Sequence, residues 1–91
     1  MKLGPESEFT IFDRDGTLMN DSYRILKTLG NNEFYAPWRD HICPEASKVL
    51  IEMGCPPSES LDELVQSYTA VLDVLVRAAK ERQLLIAPVS T

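Results

Sequence analysis

The segment that most limits what this chain can fold into runs from Ser60 to Gln83. Ser60-Leu61-Asp62-Glu63 has the spacing of a capping box, in which a Ser hydroxyl and a Glu three residues on satisfy free N–H groups at a helix start. Leu61, Leu64, Val65, Tyr68, Val71, Leu72, Leu75, Val76 and Ala79 follow at helical spacing and make one apolar stripe. Arg77, Lys80 and Arg82 lie near the far end, where the helix dipole favours cations. The spacing predicts a helix over 60–83, roughly 35 Å long. That is long for a chain of 91 residues, which has room for one small domain over 1–91.

Three shorter helices are expected before it. Pro5 suits the first position of a helix over 5–12, with Glu6 and Glu8 in its first turn and Phe9 and Phe12 as an i,i+3 pair. The same short apolar run also fits a strand. Asn20 or Asp21 can cap a helix over 21–29 that carries Tyr23, Ile25, Leu26 and Leu29, with Gly30 as a left-handed stop. Pro44 opens a helix over 45–53, in which Ala46, Val49, Leu50 and Met53 share a face. Gly54 closes it, and Cys55-Pro56-Pro57-Ser58 reads as a rigid connector. The segment 31–43 is irregular but rich in aromatics: Phe34, Tyr35 and Trp38 make either a lid packed on the core or a contact surface. Leu84 to Thr91 is a packed tail or a short strand. The expected fold is therefore all-α, a small four-helix lobe with a long C-terminal helix.

The formal net charge is −5, which argues against nucleic acid, since phosphate backbones call for a basic face. It suits a basic partner. No apolar run approaches the roughly 20 residues of a membrane-spanning helix. Cys43 and Cys55 form no C-x-x-C pair, and His41 with Cys43 makes a lone H-x-C, short of the four ligands of a structural zinc site. Two reduced thiols and an intracellular, cytoplasmic setting are expected, with no metal and no cofactor.

Phe9-Thr10-Ile11-Phe12-Asp13-Arg14-Asp15-Gly16-Thr17-Leu18 supports two incompatible resemblances. As a strand ending in Asp-x-Asp-Gly-Thr-Leu, it resembles the first motif of the haloacid-dehalogenase-like hydrolases. That resemblance implies Asp13 as phosphoryl-accepting nucleophile and Asp15 as acid/base, with magnesium offsetting the charge of two carboxylates and a phosphate. It also implies a doubly wound parallel sheet, with Ser90 or Thr91 as the hydroxyl of a second motif. The Lys and the further acidic pair of that family have no counterpart here, so the implied object is a fragment.

As a helix entering a loop, the same residues resemble the first half of a calmodulin-type EF-hand. Ile25-Leu26-Lys27-Thr28-Leu29-Gly30-Asn31-Asn32 is similar to the outgoing helix of calmodulin and myosin light chains. A calcium loop needs a bidentate Glu at its twelfth position. Counted from Asp13 that position is Arg24, so no calcium site is expected. The light-chain resemblance implies a non-catalytic protein-binding module or assembly subunit that holds an amphipathic, basic helix of a larger protein in an apolar groove. The residues expected to meet that helix are Phe9, Phe12, Leu26, Leu29, Tyr35, Trp38, Leu50, Met53, Tyr68, Leu72 and Val76.

Overall fold

The computed structural model describes residues 6–44, 47–55 and 58–89. The elements are β1 (Glu6–Phe12), α1 (Ser22–Asn31), β2 (Ile42–Pro44), β3 (Leu50–Gly54), α2 (Leu61–Glu81) and β4 (Leu85–Pro88). Short 3-10 turns occupy Glu33–Tyr35 and Arg39–His41. The strands form one sheet in the order β2-β3-β1-β4, and every pairing is antiparallel. Two helices on a four-stranded sheet make an α/β fold. The all-α, EF-hand-like expectation is overturned, and with it the calmodulin-like and light-chain-like description.

The error lies in two segments. In β1 the period is 2. Phe9 and Ile11 are buried, while Glu8 is exposed and Thr10 and Phe12 are half-buried. A helix would have put Phe9 and Phe12 on one side; the strand puts them on opposite faces. The second segment is 45–53. Its described part is a turn, closed by the Leu50 N–H donating to the Ser47 carbonyl at 3.1 Å, and then β3. Ile51 and Met53 are fully buried on one side, and Leu50 and Glu52 half-buried on the other. Over so few residues, helical spacing and strand alternation select overlapping apolar sets. Pro5, Glu45, Ala46 and the Pro56 and Pro57 connector lie outside the described residues, as do Ser90 and Thr91.

The two other helices form close to their expected limits. In α2 the Ser60 Oγ accepts from the Glu63 N–H at 3.1 Å, so the serine half of the capping box forms at its N-cap. Its end is a Schellman motif: Leu84 N–H donates to Ala79 C=O at 2.9 Å and Gln83 N–H to Lys80 C=O at 2.9 Å. Gln83 takes the left-handed position at φ 59°. Asp21 stands at the N-cap of α1 but makes no cap bond; its carboxylate pairs with Arg24 at 3.2 Å. Gly30 does not stop α1. The helix runs through it to Asn31.

The core fills one face of the sheet. Phe9, Ile11, Ile42, Ile51 and Met53 meet Ile25 and Leu29 of α1 and Val71, Leu75 and Ala78 of α2. Each such large side chain contributes about 1.5–3 kcal/mol by leaving water. The even positions of β1 and β3 turn to the other face, which neither helix covers.

The ladder also says what the sheet edges offer. Ile11 N–H bonds to Val49 C=O, and Val89 N–H to Glu8 C=O. Antiparallel bonding alternates. The odd residues of β1 therefore bond towards β3 and its even residues towards β4. By the same alternation Ile86 and Pro88 direct their backbone away from β1, and Pro44 directs its own away from β3. Both edge strands thus carry a proline whose missing N–H lies on the outer side, a device that blunts strand addition.

Candidate functional site

The Asp13-Arg14-Asp15-Gly16-Thr17 segment is a tight hairpin turn. The Asp13 N–H donates to the Thr17 carbonyl at 2.9 Å and the Gly16 N–H to the Asp13 carbonyl at 3.1 Å. Gly16 sits at φ 85°, the left-handed position of a three-residue hairpin loop. Asp13 Oδ1 accepts from the N–H groups of Asp15 and Thr17, both at 2.9 Å, so this carboxylate oxygen holds its own loop. Asp15 is exposed. The phosphohydrolase resemblance implied parallel strands around these two residues, whereas the described pairings are all antiparallel.

After the turn the chain returns along β1. Leu18 pairs opposite Phe12, and Met19 N–H donates to the Ile11 carbonyl at 2.9 Å. This gives the open face of the sheet an ordered layout. Leu85, Phe12 and Leu18 form one row across it. Ala87, Thr10 and Leu50 form the next. Glu8, Glu52 and Cys43 form the third, with Glu6 opposite Gly54 beyond them. Leu18 is 55% exposed and Leu85 47%, so the apolar end is open to solvent.

At the acidic end lies an open pocket of about 430 Å3, lined by Ser7, Glu8, Phe9, Glu52, Tyr68, Pro88 and Val89. The Ser7 Oγ and Tyr68 hydroxyl are 3.1 Å apart and hydrogen-bonded. Glu8 stands directly opposite Glu52. Among the described residues, no three His, Cys, Asp or Glu side chains gather so as to hold a metal ion.

The residues expected to line a helix-binding groove do not gather on one surface. Phe9, Leu29, Tyr35 and Met53 are buried in the core. Leu26, Trp38, Tyr68 and Leu72 are half-buried against it, and Val76 is half-buried on α2. Only Phe12 and Leu50 lie on the open face. In the aromatic segment, Tyr35 and Trp38 behave as a lid packed on the core, while Phe34 stays 65% exposed. The Tyr35 hydroxyl donates to Glu81 Oε2 at 2.9 Å. Burial first, and the Glu81 hydrogen bond second, push the Tyr35 hydroxyl above its ordinary pKa of 10.0.

Sequence reasoning missed Leu18, Leu85, Glu8 and Glu52. The alternation Glu6, Glu8, Thr10, Phe12 carried the signal for β1; the rows across the sheet depend on a register that no local pattern specifies. Among the described residues, no helix is long and apolar enough to cross a membrane. No known protein-family model matches the chain, and a search of curated proteins finds no match.

Proposed function

We propose that this domain is a non-catalytic binding module that receives a basic amphipathic helix of a larger protein on the open face of its sheet. The observation that carries this reading is the grading of that face, from the apolar row Leu85, Phe12 and Leu18 to the acidic row of Glu8 and Glu52. An amphipathic helix buries apolar side chains against the first and sets cations over the second. The prolines on both edges favour docking on the face over strand addition. Titration with a designed Leu/Lys amphipathic peptide should move the amide signals of Phe12, Leu18 and Leu85. Val65, 56% exposed on α2, should stay still. Leu18→Asp with Leu85→Asp should abolish binding, and Val65→Asp should not. Perturbation centred on Leu61 and Val65 instead would move the docking surface to α2 and sink the reading.

A further inference from the structure

The relief of the open face also specifies a side chain that its partner must bring, an inference that rests on the binding-module reading above. Neighbouring strands lie about 4.8 Å apart, and successive rows on one face lie about 7 Å apart along a strand. On that grid two short side chains stand side by side in the middle row, Ala87 on β4 and Thr10 on β1. Leu85 and Phe12 stand one row away from them. Leu50 lies beyond Thr10 on β3, and Val89 follows Ala87 on its own strand. Ala87 and Thr10 are half-buried although neither helix covers this face, whereas Leu85 and Leu18 stand exposed. Short side chains between taller ones make a recess. Because β4 is an edge strand, the recess opens sideways as well as outward.

A flat apolar surface accepts any stripe of leucines. A recess does not, because the core of an interface reaches the packing density of a protein interior only when one surface fills the hollows of the other. A helix that left this recess empty would enclose a void, and the lining atoms would lose their contacts. We infer that the partner helix carries one large apolar anchor, a Phe or Leu in the middle of its apolar stripe, that seats over Ala87 and Thr10. Helical turns repeat about every 5.4 Å, close to the row spacing, so side chains one turn either side of the anchor fall over the neighbouring rows. The fit depends on shape and is the same for either direction of the helix. It has one cost: the anchor takes the Thr10 hydroxyl away from water.

Two Leu/Lys peptides test this on the full chain, one with Phe in the middle of its stripe and the other with Ala there. The Phe peptide should bind the parent about ten-fold more tightly, or better. Ala87→Leu, which fills the recess, is the decisive variant. The Phe peptide should then bind about ten-fold more weakly than to the parent, while the Ala peptide binds at least as well as before. Docking on a flat surface gives the opposite sign, because the added leucine enlarges the apolar face and tightens both peptides. Thr10→Val keeps the shape and removes the hydroxyl, so it should tighten the Phe peptide by about three-fold. Intermolecular NOEs on the parent chain give a readout free of substitutions, and they decide the matter if Ala87→Leu does not fold. The Phe ring should reach the methyl groups of Ala87 and Thr10. Ring contacts confined to Phe12 and Leu18, or tighter binding of the Phe peptide to Ala87→Leu, overturn the anchor but leave docking on this face standing. If neither peptide binds the parent, the binding-module reading fails and the anchor falls with it.

Discussion

At the scale of single residues, the backbone positions that cost most are Gly16 and Gln83. Both are left-handed, and one is suited to it while the other is not. Gly16→Val should lose about 1–2 kcal/mol, although the space around the new Cβ is empty, because an L side chain is strained there. Gln83→Gly should gain up to about 1 kcal/mol by relieving the same strain at the end of α2, and chemical denaturation of the two variants checks both signs. Gly30 is the contrast. It lies inside α1 with nothing near a built Cβ, so Gly30→Ala should stabilise by about 0.5–1 kcal/mol. Tyr35 makes the pH dependence directional. Its folded pKa is raised, so its contribution is complete below the unfolded value of 10.0 and is lost as pH rises through the folded one. Cys55, whose thiol is raised from 9.0 by burial, acts in the same sense from a lower pH. Stability should therefore fall on the alkaline side, less steeply in Tyr35→Phe than in the parent. Melting temperatures measured across pH 8–11 would show equal slopes if the Tyr35 hydroxyl played no part.

At the scale of elements, legibility followed the length of the pattern. The helix over 60–83 was plain because its stripe spans many turns and its Ser60–Glu63 start has a specific chemistry. Ser60→Ala should cost about 1 kcal/mol, read from a denaturation midpoint, since the Glu63 N–H loses its acceptor. The helix after Asp21 was legible from its apolar face alone, since Asp21 makes no cap bond and Gly30 does not end it. Segments 5–12 and 45–53 were not. Phe9 with Phe12, and Leu50 with Met53, satisfy a helical pair by accident of short spacing, while Ile11, opposite Ile86, and Ile51, opposite Phe9, decide the matter only once the strands pair. The Asp13 to Leu18 string illustrates the same limit from the side of function. Its carboxylates read as chemistry, yet Asp13 serves the turn and Leu18 completes an apolar row. Among the expected partner-binding residues, period 2 places Phe9 and Met53 on the core side of the sheet and Phe12 and Leu50 on the other. Leu72, a candidate for a groove, leans on the core, so Leu72→Asp should lower stability before it affects any binding.

At the scale of the whole molecule, a two-layer sandwich with blunted edges leaves a face as its main route to association. Restoring an outward N–H by Pro44→Thr and Pro88→Thr should raise self-association, measurable by sedimentation; an unchanged monomer would show that something else guards the edges. The order of the strands carries a further consequence. β1 is the first strand in sequence but lies inside the sheet, and its two neighbours are β3 and β4, the last two to be made. No strand of the sheet has its sequence neighbour on both sides, so little of it can assemble from local contacts alone. Chains dominated by distant pairings pay the entropy of closing long loops before they gain the contacts. During synthesis most of β1 must therefore wait, with only Leu18 and Met19 beside its far end, until Leu50–Gly54 has been added, and its second neighbour arrives only with Leu85–Pro88. For that interval the strand that will become the middle of the protein is its most exposed apolar segment, and a chaperone would meet it there.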